Sequence, residues 1–176
     1  MFQMTKGYTI VEVVVTVAIL GSLYSISSQS LPYFFARTHA ESDLIQIRKL
    51  LDFARGYALK NKVSTTLCPL QNHGTQCISS WDKATLTLFL DMNQNGKKEG
   101  NEPILSALDV GAPYHSVHYP RKHITYLPNG RLKGFLNGTV EICVHLWLWE
   151  RSYRLIIPNW GRIRQAQTPH CRQKLR

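Results

Sequence analysis

The stretch KGYTIVEVVVTVAILGSLYSISSQSL, residues 6–31, decides how the rest of the chain is read. Between positions 10 and 31 it holds one carboxylate, Glu12, and no basic residue. As a helix rising 1.5 Å per residue these positions extend about 33 Å, enough to cross a hydrocarbon core of roughly 30 Å. A secretory signal peptide is one reading. Its basic flank, however, is Lys6 alone, and no small-x-small cleavage site with a mature segment follows. A plain signal-anchor is another reading, although Ser25, Ser27, Ser28 and Ser30 leave the far end polar. Glu12 separates these readings. A carboxylate near the start of a spanning helix costs a few kcal/mol unless it is solvated at the interface or answered by a cation. The nearest cation would be a new amino terminus created at Tyr8.

The chain has 176 residues, which fits one domain of ordinary size with an appended element and excludes a large multidomain enzyme. A mean hydropathy of -0.19 excludes a polytopic membrane protein. Twenty-one Lys+Arg against eleven Asp+Glu give a net charge of +10, which points to a polyanionic partner or surface. That charge is lopsided. Arg151, Arg154, Arg162, Arg164, Arg172, Lys174 and Arg176 lie in the last stretch of the chain, and no acid follows Glu150.

Past the apolar run, Leu44, Ile47, Leu51, Ala54 and Ala58 recur at three- and four-residue steps, which predicts a continuing helix with one apolar stripe packed on a sheet. Pro32 is expected to kink that helix, and Gly21 with the following serines to weaken it. After Lys62 the pattern turns to short β-rich runs at 63–68, 84–90, 116–119, 124–127, 140–149 and 153–157. The last two are joined through Glu150-Arg151-Ser152. Turn signals lie at Asn72-His73-Gly74, Asn95-Gly96, Pro128-Asn129-Gly130, Asn137-Gly138 and Pro158-Asn159-Trp160-Gly161. Trp147 and Trp149 alternate with Leu146 and Leu148, as in a buried or subunit-facing strand. The fold class is α+β: a long N-terminal helix, half anchor and half amphipathic, packed on an antiparallel sheet or sandwich.

Lys6-Gly7, then Tyr8-Thr9-Ile10-Val11-Glu12 and a long apolar run, resembles the class III signal of type IV pilins and pseudopilins. The resemblance implies that a prepilin peptidase cuts between Gly7 and Tyr8 and methylates the new amine; Tyr8 stands where the family usually has Phe. Glu12 then falls at the fifth mature position, a glutamate in the family. Its carboxylate would meet the amine of a neighbouring helix inside an apolar filament core. Farther on, LLDFARGYALKNKVSTTLCP, FLDMNQNGKKEGNEPIL, LPNGRLKG and NWGRIR follow in an order similar to the GspH/FimT group. This implies a pilin-like fold with a leader at 1–7, a hydrophobic membrane or filament helix at 8–35, and a head at 36–176 ending in the basic segment 151–176. It also implies a single-pass inner-membrane protein with a periplasmic head, displayed on a pilus after assembly. The implied partners are prepilin peptidase, inner membrane lipid, and major and minor pilin subunits.

Members of the group that bind DNA in natural transformation carry a C-terminal Gly-Arg-x-Arg motif, and Gly161-Arg162-Ile163-Arg164 matches it. Arg162 and Arg164 alternate on what reads as a terminal strand, so both project from one face. Guanidinium groups contact phosphate bidentately and stay charged at any working pH. Arg172, Lys174 and Arg176 extend the positive field, and Tyr153 or Trp160 offers a stacking surface. The set suits sequence-independent, salt-sensitive binding of double-stranded DNA. The competing reading is a structural minor pilin or type II secretion pseudopilin that primes filament assembly without meeting DNA. Its arginines would then hold carbonyls or acidic subunit surfaces.

Cys68, Cys77, Cys143 and Cys171 are even in number in a head expected outside the cytoplasm, so disulfides are the default. Three connectivities are possible. Cys68 with Cys77 and Cys143 with Cys171 is preferred, because it ties the basic tail to a strand and lowers the ordering cost of binding. Zinc is the competitor, since His73 lies between the first two cysteines and His115, His118 and His123 cluster, but no paired C-x-x-C spacing supports it. Asp91-Met-Asn93-Gln-Asn95-Gly96 with Glu102 fits a calcium-loop template, yet a strand precedes it and Lys97 and Lys98 oppose a divalent ion. A hairpin loop capped by its own side chains is the preferred reading. No cofactor is implied. No nucleophile, base or phosphate-cradling glycine loop nominates an enzyme.

Overall fold

One helix, α1 (Ile10–Asn61), opens the chain and runs unbroken through Pro32, whose ring removes a single backbone donor without ending it. The computed structural model describes residues 7–70, 74, 76–111, 113, 115–146 and 149–171. Two units share the chain, Met1–Phe35 and Ala36–Arg176.

In the first unit, Thr9 caps the helix by accepting the Glu12 amide at 3.2 Å. Thr9-x-x-Glu12 is thus a capping-box spacing, with an acid in the first turn where the helix dipole favours it. Farther along, Thr16 donates to the Val13 carbonyl at 2.8 Å, Ser22 to Ile19 at 2.8 Å and Ser25 to Gly21 at 2.9 Å. Hydroxyls bonded back to their own helix are compatible with apolar surroundings. Tyr8, Ile10, Val11, Val14, Val17, Leu20 and Leu23 are all exposed, an apolar surface on every side. Even so, no helix among the described residues is long and apolar enough to cross a membrane. The side chains of residues 26–30, within the apolar run read from the sequence, lie outside the described set.

In the second unit, Leu44, Ile47, Leu51, Ala54 and Ala58 form a fully buried stripe on α1, as the periodicity predicted, and Ala36 and Ala40 extend it. The alanines let the backbone of the sheet approach closely: Thr65 donates its hydroxyl to the Ala54 carbonyl at 3.0 Å. Eight strands follow: β1 (Thr65–Leu70), β2 (Thr85–Leu90), β3 (Ile104–Asp109), β4 (His115–His118), β5 (Ile124–Tyr126), β6 (Gly138–Leu146), β7 (Trp149–Ile157) and β8 (Arg164–Thr168). They make two four-stranded antiparallel sheets, ordered β3-β2-β1-β5 and β4-β6-β7-β8. Leu67, Leu86, Leu88 and Ile124 from the first sheet meet Val140, Ile142, Val144, Tyr153, Leu155 and Ile157 from the second in one core with the helix stripe.

Two sequence expectations need revision. The link between the last two predicted strands is not Glu150-Arg151-Ser152: these residues belong to β7 and pair with His145, Val144 and Cys143. Their polarity, which read as a turn, comes from facing solvent or a buried polar partner. β3 carries no clear alternation and was missed; it is an edge strand with mixed burial. The side chains of residues 146–149, including Trp147, lie outside the described set, as does His73.

Candidate nucleic-acid interface

The Gly-Arg-x-Arg segment is set by a turn that only glycine can close. Pro158-Asn159-Trp160-Gly161 folds back with the Gly161 amide donating to the Pro158 carbonyl at 2.8 Å. Gly161 sits at φ 78°, and a Cβ there would lie 2.3 Å from the Gly130 carbonyl oxygen. The contact is with a second turn, in which the Gly130 amide donates to Leu127 and the Leu127 amide to Arg131, both at 2.8 Å. Arg55, on α1, donates to the same Gly130 carbonyl at 3.0 Å, and the Leu132 amide donates to the Asn159 carbonyl at 2.9 Å. Two turns distant in sequence are thus fused, and the chain beyond Gly161 departs from a fixed point.

Ile163 packs against the core, which leaves Arg162 and Arg164 exposed on either side of it. The two arginines do face solvent, as alternation predicted. Only Arg164 is in β8, paired with Ile156; Arg162 precedes the strand. Among the described residues neither guanidinium has an ion-pair or hydrogen-bond partner. Arg131, on the neighbouring turn, is also exposed.

The rest of the basic segment divides. Arg154 is withdrawn from the surface: it pairs with Glu141 at 2.8 Å, and Ser152 donates to the same carboxylate at 2.6 Å. Tyr153 is buried, its hydroxyl 3.2 Å from Glu41, so it offers no stacking face; burial, with that carboxylate's charge and hydrogen bond, pushes its phenol up. Trp160 remains half exposed. Cys143 and Cys171 are disulfide-bonded, tying the chain after β8 to β6, and Cys68 is bonded to Cys77; both are the preferred pairs. The Cys171 amide donates to Glu150 at 3.0 Å, holding the tail at its last described residue. Arg172, Lys174 and Arg176 lie outside the described residues.

Ligand atoms of Cys143, His145, Glu150 and Cys171 lie within 4.8 Å of one another, a metal-like grouping that spacing did not disclose. Its two sulfurs are bonded to each other, however, and are not thiolates available to an ion. His115 is committed to Asp43 at 2.9 Å. In the calcium-like loop, Asp91 is buried and accepts the Asn95 and Gly96 amides, each at 3.0 Å, with the Thr66 hydroxyl at 2.6 Å. Glu102 accepts the Met92 and Glu99 amides at 3.2 and 2.9 Å. The carboxylates cap their own loop, as the preferred reading held.

A family model described as type II transport protein GspH matches residues 45–161. The type IV minor pilin FimU of Pseudomonas aeruginosa, in two crystal forms, has a similar structure. One gives a TM-score of 0.55 at 20% identity over 76% of this chain and 92% of that one. The other gives 0.51 at 20% identity over 72% and 91%. Identity this low speaks for the fold alone. No curated protein matches the sequence. From the matched segment, which spans most of the head and ends at Gly161, the chain belongs to the GspH family and has the pilin-like α+β fold.

Proposed function

We propose that this protein is a minor type IV pilin whose head binds double-stranded DNA without sequence preference, as in DNA uptake during natural transformation. The observation that carries the reading is the pair Arg162 and Arg164: exposed, unpartnered among the described residues, and splayed about the core-anchored Ile163. Rigid, permanently charged forks of this kind neutralise phosphates at little ordering cost. Arg172, Lys174 and Arg176 would add to the field beyond the Cys171 tether. Processing between Gly7 and Tyr8, and pairing of the new amine with Glu12 of a neighbouring subunit, complete the proposal. The exposed apolar surface of the first unit favours packing among other pilin helices. Catalysis has no place in it.

The test is a gel shift of the full-length chain in detergent against random-sequence duplex at several salt concentrations. Binding that weakens steeply with salt and is abolished by Arg162→Ala with Arg164→Ala supports the proposal; a shift indifferent to that double substitution sinks it. The second reading, a structural subunit of a pilus or secretion pseudopilus, draws on the family description and predicts no shift. It shares the processing step, for which mass spectrometry should find a species beginning at a methylated Tyr8.

A further inference from the structure

The two fused turns enclose a pocket of about 280 Å³, lined by Leu127, Asn129, Arg131, Leu132, Gly134 and Asn159. No acidic side chain is in that lining. The carboxamide oxygen of Asn159 is buried there with no hydrogen-bond partner among the described residues. Two aromatic residues follow lining residues directly in the chain, Phe135 after Gly134 and Trp160 after Asn159, so each has its Cα about 3.8 Å from the Cα of a lining residue. Phe135 is 83% exposed and Trp160 is 54% exposed. Trp81, by contrast, is buried with its indole N–H donated to the Arg121 carbonyl at 2.8 Å. Leaving a large aromatic in water forgoes the gain of burying it, so two such groups beside a polar, acid-free pocket call for a ligand.

We propose that this pocket receives an unpaired nucleobase, with Trp160 stacked on its face and Arg131 and Arg162 on the adjoining phosphates. The head would then favour DNA carrying a single-stranded end over a closed duplex. A duplex offers phosphates to arginines but keeps its base faces stacked on one another; an unpaired base presents both faces and its hydrogen-bonding edge. The Asn159 carboxamide, whose buried oxygen has no partner among the described residues, would turn outward to meet such an edge. The inference rests on the DNA-binding reading above and adds the class of DNA end to it.

Fluorescence anisotropy of the full-length chain in detergent tests this, using a blunt random-sequence duplex and the same duplex with a short oligothymidine overhang at one salt concentration. The overhang probe should bind about fivefold tighter or better, the low end for one stacked base. Trp160→Ala should remove that preference, bringing the two probes to one affinity, and Trp160→Phe should keep part of it. Equal affinity for both probes in the unsubstituted protein overturns the pocket assignment but spares the arginine interface. Binding of neither probe overturns both. Loss of filament assembly in Trp160→Ala with the probe preference intact would make Trp160 a subunit contact and overturn the assignment as well.

Discussion

Gly161 shows how one residue type sets a surface. Its φ of 78° and the 2.3 Å approach to Gly130 leave no room for a side chain, so Gly161→Ala must open the junction of two turns. We expect it to cost about 2 kcal/mol or more in urea unfolding, and to weaken DNA binding although every arginine remains. Asp43 is a residue of the opposite kind, half-buried and charged. Burial pushes its carboxyl upward, but hydrogen bonds from His115 and the Gly111 amide, with the charges of His115 and His39, outweigh that and hold it below its ordinary value. Its contribution is therefore complete above about pH 4 and is lost as pH falls through the lowered folded value. Asp43→Asn should destabilise the chain by about 1–3 kcal/mol at pH 7 and flatten the acid limb of its stability curve. His123 acts in a higher window. Burial lowers its affinity for a proton, with Lys133 and Lys122 adding to this against the pull of Asp91. Below about pH 6.5 the unfolded chain takes up a proton that the folded one resists, so stability falls with pH. Urea midpoints at mildly acidic and neutral pH should differ less in His123→Gln.

At the scale of elements, α1 and β8 have contrasting supports. The buried alanines of α1 are spacers: Ala54 has no exposed surface and its carbonyl takes the Thr65 hydroxyl. Ala54→Leu should overpack the helix against β1 and cost about 1–3 kcal/mol in thermal unfolding. β8 is an edge strand, held by its ladder to β7 and by the Cys143–Cys171 bond that closes a 28-residue separation. Replacing both cysteines with serine should cost about 3–4 kcal/mol on the loop-entropy account. It should also lower DNA affinity by freeing the basic tail. Unchanged affinity would mean that the tail plays no part in binding.

For the whole molecule, a net charge of +10 says little until the structure sorts its sources. Arg154 neutralises a buried acid, whereas Arg162 and Arg164 answer nothing within the described chain. Single substitutions should separate the two uses. Arg162→Ala or Arg164→Ala should leave stability within about 0.5 kcal/mol and lower the slope of log affinity against log salt by about one. Arg154→Ala should leave that slope alone and cost about 3 kcal/mol, because Glu141 would remain buried without that cation.

The helix stripe, most of the strands and the motif around Gly161 were legible in the sequence, since each depends on local periodicity or the chemistry of a single residue type; the cysteines pointed to two disulfides without fixing their pairing. Tertiary structure alone decided which arginines remain free, that Tyr153 is spent in the core, and that Glu150 to Ser152 form strand and not turn. It also brought Asn159 against the turn at Gly130, creating a pocket between segments some thirty positions apart. Burial and charge pairing are sums over neighbours from every element, and a chain read in one dimension does not contain those sums.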